Sequence, residues 1–142
     1  MGLLYIASSA GKMVVTSTIT PLVQSTISLI ASLRTNTDTT TLQEVITKYD
    51  IPCTLQIIEK TCVALKCDKE PLKTAADHVA SALQQIHTLL TRIADITASH
   101  DAGYISRFRT LVVDTEIEKL KTLMDVLHHR FKLMCDIRNI TA

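Results

Sequence analysis

Hydrophobic residues return every three or four positions along most of the chain, and interruptions of that rhythm divide it into four segments. In residues 3 to 33, Val15, Ile19, Leu22, Leu29 and Leu33 keep the spacing of one helix face, with Thr26 at the missing step. Thr16, Thr20, Gln24, Ser28 and Ser32 fall on the other faces. Gly11 weakens the start, and Pro21, which has no amide hydrogen, predicts a kink or a division near Thr20. Residues 35 to 41, TNTDTTT, read as a loop, because short polar side chains compete for backbone hydrogen bonds. Thr41 with Glu44 then fits a capping box, opening a helix to about Tyr49.

Asp50-Ile51-Pro52 predicts a break and a fresh start, with Asp50 as the cap and Pro52 in the first turn. Ile51, Leu55, Ile58, Cys62 and Leu65 carry the stripe onward to Lys66. Residues 67 to 71 form the second connection. Leu72, Ala75, Val79, Leu83, Ile86, Leu90, Ile93 and Thr97 follow at heptad spacing, and residues 99 to 103 form the third connection, where Gly103 suits a helix C-cap. From Tyr104 to about Ile137 the last stripe is Val113, Ile117, Leu120, Met124, Leu127, Phe131 and Met134. Glu116, Glu118, Lys119, Lys121, Asp125 and Arg130 read mostly as the polar faces of that helix.

Four long helical segments joined by three short loops predict an all-α protein, an antiparallel four-helix bundle in one domain over residues 1 to 142, with the second helix open to a break at Pro52. Each stripe needs a partner. Burying one Leu or Ile contributes about 1.5–3 kcal/mol, and the stripes together offer enough such positions to oppose the entropy of ordering the chain.

Composition narrows this reading. Aromatic residues make up 4% of the chain and Trp is absent, so the core is aliphatic. The formal net charge is +1, with no basic run, and this argues against nucleic-acid binding. Cys53, Cys62, Cys67 and Cys135 follow no CxxC spacing. The opening GLLYIASSA lacks the basic n-region of a secretory signal. The thiols are therefore expected to be reduced core residues of a cytoplasmic protein, peripheral at membranes if it meets them at all. Gly2 raises myristoylation, but Ile6 stands where that motif needs Ser or Thr.

Catalytic and metal chemistry find little support. His78 and His87 are too far out of phase to share a helix face, and His128 and His129 are adjacent. There is no Glu-x-x-His pair of the kind that di-iron bundles carry. No phosphate-binding glycine loop or nucleophile elbow occurs. The reading is non-enzymatic, with no cofactor, no metal and no small-molecule substrate. An enzyme would need an inward pocket lined by His78, His87 or carboxylates.

The run from Met13 to Leu33 carries no charge. It is long enough to span a bilayer, yet nearly half of it is Ser, Thr, Gln or Pro, segregated as on an amphipathic helix. The alternatives are a membrane span, a buried bundle helix, and a surface that meets another subunit or a bilayer. A helix with no charged face is poorly defended against association. The residues this singles out for partner or membrane contact are Met13, Thr16, Ile19, Thr20, Leu22, Val23 and Gln24.

The stretch GYISRFRTLVVDTEIEKLKTLMDVLHHRFKLM, residues 103 to 134, resembles the last bundle helix of the HeLo-like four-helix domains. That family includes the N-terminal domain of the necroptosis pseudokinase MLKL and domains of fungal cell-death proteins. The likeness lies in Tyr104, Arg107 and Phe108 at the turn, then Glu116, Ile117 and Leu120, then Arg130 and Phe131. The opening MGLLYIASSAGKMVV is also similar to the apolar N-terminus of fungal members. The resemblance implies a domain that oligomerises and acts on membranes when released from restraint. It makes Tyr104, Arg107 and Phe108 a hinge seat for the final helix. The plain alternative has Phe108 plugging the core and Arg107 pairing with an acid such as Asp101. This chain departs from the pseudokinase pattern in having Lys12 as its only basic residue before Arg34, so lipid contact by its N-terminus would be hydrophobic. The expected partners are protein, chiefly self-association, and membrane lipid. The other functional class is a structural adaptor or assembly subunit, viral proteins included, that binds proteins through helix surfaces.

Overall fold

The computed structural model describes residues 14–33, 40–67, 69–98 and 106–141, with side chains for 18–33, 41–67, 69–97 and 113–140. These residues form five helices and no strand: α1 (Val14–Leu33), α2 (Thr40–Lys48), α3 (Ile51–Leu65), α4 (Leu72–Ala98) and α5 (Ser106–Thr141). The protein is all-helical. Met13, Tyr104 and the third connection, residues 99 to 103, lie outside the described residues.

The stripes become the core. Ile19, Leu22, Leu55, Ile58, Val79, Ile86, Leu90, Ile117, Leu120 and Met124 are all buried. Thr26 is buried in the apolar stripe as its spacing requires, and its hydroxyl donates to the Leu22 carbonyl at 2.7 Å. The polar atom thus reaches the core already paired, which removes most of the cost of burying it.

Pro21 does not divide α1, which runs unbroken through it. The ring faces solvent, where its one missing backbone bond is least costly. Thr41 lies inside α2, not at its N-cap, so the expected capping box does not form at that position. The break between α2 and α3 does occur. Asp50 stands at the N-cap of α3 with Pro52 in the first turn, but its backbone is left-handed (φ 48°, ψ 51°) and its side chain makes no capping bond. The reversal is made by the backbone, and Thr54 donates its hydroxyl to the Tyr49 carbonyl across the break at 3.2 Å.

Two cross-links give the direction of the longest seam. The Arg130 guanidinium donates to the His78 carbonyl at 2.9 Å, and Arg92 pairs with Glu116 at 3.6 Å. As α4 advances, its partners on α5 retreat, so the two helices are antiparallel. α4 also packs on α1, and it buries two adjacent stripes, Val79, Leu83, Ile86, Leu90 and Ile93 with Ala76, Ala82 and Leu89 beside them. α1 packs in turn on α3, while α2 lies against α5 and α3. The expectation that short loops join packed neighbours fails twice, for α1 with α2 and for α3 with α4. α3 and α4 are consecutive in the chain but are not among the closely packed pairs, because α1 takes the position beside both.

Candidate functional site

The charge-free helix presents two different surfaces. Ile19, Leu22 and Val23, three of the expected contact residues, belong to the core. Thr20 is half-buried and Gln24 is exposed. Met13 and the side chain of Thr16 lie outside what is described. The outer face of α1 consists of Pro21, Gln24, Ser25, Ser28, Ala31 and Ser32, all exposed and uncharged. Ser25 shares a 3.0 Å hydrogen bond with His87 Nε2, a polar tie between α1 and α4. No helix among the described residues is long and apolar enough to cross a membrane.

Arg107 and Phe108 fall in the first turn of α5, but their side chains, like all of Tyr104, lie outside the described set, as does Asp101. The contacts of the expected hinge seat therefore lie outside the described residues. His78, His128 and His129 are exposed, and His128 stacks on Tyr49 with ring centroids 6.4 Å apart. Among the described residues, no group of three or more His, Cys, Asp or Glu is arranged to hold a metal ion.

The cysteines sort by environment. Cys53 is exposed, Cys135 half-buried, and Cys62 and Cys67 are buried. Cys62 meets the Met134 sulfur at 4.0 Å between α3 and α5. Burial pushes the Cys62 thiol up to about 12, helped by the nearby Cys67 and Cys135. Cys135 is also raised, by desolvation first and by Asp136 second. A thiol so held is protonated at neutral pH and is a poor nucleophile.

One polar constellation was placed wrongly by sequence reasoning. Glu116, read there as part of a polar face, is 3% exposed. One of its oxygens accepts from Lys119 Nζ at 3.2 Å and faces Arg92 Nε at 3.6 Å. Both cations are themselves well exposed. The three line a groove of about 320 Å³ between α4 and α5, floored by Leu89 and Leu123 and edged by Gln84 and Thr88. A signal for this existed in the chain. Val113, Glu116 and Leu120 share 3-4 spacing, so Glu116 sits on the flank of the buried stripe.

No protein-family model matches the chain, and neither the curated proteins nor the solved structures contain a match to it.

Proposed function

We propose that the chain is a non-catalytic helical-bundle domain of the HeLo-like type, which self-associates through the outer face of α1 and associates with membranes when that helix is released. In this reading the architecture is an antiparallel four-helix bundle in which α2 and α3 share one corner. The observation that carries it is α1 itself, a 20-residue helix without a charged residue, with its exposed side covered by hydroxyl, amide and small groups. Such a face has no charge repulsion or strong hydration to keep a second protein away. The burial of Ile19, Leu22 and Val23 supports a resting form in which the residues suited to lipid are withheld. The high Cys62 value and the ion-paired state of Glu116 support assigning neither group a catalytic role. The protein acts in the cytoplasm in this reading, with no cofactor or nucleic acid.

Light scattering behind size exclusion tests it. A discrete oligomer is expected, together with dye leakage from anionic liposomes once oligomers form. Gln24→Glu with Ser28→Glu places charge on the outer face without entering the core, and is expected to leave a folded monomer. A wild-type chain that stays monomeric at every concentration, with or without liposomes, refutes the proposal. A second reading, a structural adaptor or assembly subunit, is favoured by the same burial, since it leaves only polar groups on the outer face for a protein partner. That reading predicts an oligomer indifferent to lipid.

A further inference from the structure

From the groove between α4 and α5, we infer that the domain has a second contact surface, which takes an acidic, amphipathic segment of a protein partner. Glu116 is a buried carboxylate, one oxygen of which serves both Arg92 and Lys119. Two like charges on neighbouring helices stand at the mouth of the groove, and the carboxylate beneath them offsets one of them. The three groups sum to one positive charge, presented by exposed nitrogens. Arg92 meets Glu116 through Nε, and its two terminal nitrogens have no partner among the described residues. A guanidinium fork with an ammonium beside it matches a carboxylate.

The rest of the groove sets the class of ligand. Leu89 and Leu123 offer an apolar floor beside the cations, and Gln84 and Thr88 offer neutral hydrogen-bonding groups at the edge. A residue pair such as Glu followed one helical turn later by Leu meets both. The groove lies open along the helix seam and does not wrap a small molecule as an enclosed pocket does. A flat anionic bilayer is a poorer occupant, because Leu89 and Glu116 of the groove are buried below the surface that a flat sheet can touch.

The probe is a fluorescein-labelled helical peptide of Leu and Glu, followed by anisotropy, with amide shifts in NMR spectra locating the contact. Saturable binding is expected, with shifts concentrated in residues 84 to 92 and 116 to 123. Removing both cations alone would strand Glu116, so the test variant is Arg92→Gln, Lys119→Gln and Glu116→Gln together. It is expected to weaken binding by about tenfold or more, the scale of losing one charged hydrogen bond. Glu116→Gln alone frees both cations and is expected to bind at least as well as wild type. Loss of binding in that single variant overturns the inference, since it assigns the site to a cation held by the carboxylate. No saturable binding, binding to a Leu and Gln peptide of equal strength, or capture of phosphatidylserine vesicles through the same residues in place of the peptide overturns it as well.

Discussion

Cys62 makes the stability of this protein depend on alkaline pH in a calculable way. Its thiol is fully buried, and desolvation, then the neighbouring Cys67 and Cys135, push it up to about 12. An ordinary cysteine in the unfolded chain ionises near about 8.5. Below that pH the thiol is protonated in both states and contributes no pH dependence. Above it, the unfolded chain gives up the proton while the folded chain retains it, so the unfolded state gains and stability falls as pH rises. The loss accumulates at about 1.4 kcal/mol per pH unit until the folded thiol also ionises near 12. Between pH 8 and pH 10.5 it amounts to roughly 2–3 kcal/mol, a large share of the 5–15 kcal/mol typical of a domain. Lys and Tyr titrate in the same range, so the measurement must be a difference. Urea unfolding followed by circular dichroism compares wild type with Cys62→Ala across this range. The variant is expected to be less stable at pH 8, because it leaves a small cavity, and the gap is expected to close or reverse by pH 10.5. Two curves that run parallel from pH 8 to 10.5 would show that the thiol ionises freely in the folded protein, and the burial argument would be wrong.

Three further outcomes follow from the packing. Leu90, fully buried on the central helix, is expected to cost about 2–5 kcal/mol on truncation to Ala, seen as a matching fall in urea midpoint at unchanged slope. Lys66 holds φ 50° at the end of α3, so Lys66→Gly is expected to stabilise by about 0.5–1 kcal/mol, and a destabilised variant would contradict the left-handed assignment. A double-mutant cycle of Ser25→Ala and His87→Ala is expected to return a coupling of about 0.5–1 kcal/mol, whereas strict additivity would remove the tie between α1 and α4.

Much of the fold was legible because helical burial repeats. Thr26 and Thr97 could be placed in the core by spacing alone, against their polarity, and both are buried. The break before Ile51 was legible from Asp50 and Pro52, but its mechanism was not, since a residue's sign of φ is a property of the chain path, not of its side chain. Neighbour relations were harder. Loop length limits how far two helices can separate, yet it does not say which third helix comes between them, and α1 beside α4 is such a case. Val23 and Ile30 were missed because a helix with two neighbours buries more than one stripe. Glu116 was missed for a related reason. Charge was taken to mean solvent, although a carboxylate at the edge of a stripe can be covered by the long side chains that neutralise it, Arg92 and Lys119. The hinge seat at Tyr104, Arg107 and Phe108 rested on family likeness, which carries no geometry of its own.

The absence of charge along α1 also decides which surroundings can loosen it. Sodium chloride weakens attractions between ions, and this helix contributes none, so its seat should be nearly indifferent to ionic strength while the Arg92–Glu116 seam is not. Cold acts in the opposite sense, since the exclusion of aliphatic surface from water weakens as temperature falls. In a chilled solution α1 is therefore expected to loosen as the other aliphatic seams do, while in a briny one it keeps its seat as the Arg92–Glu116 pair weakens.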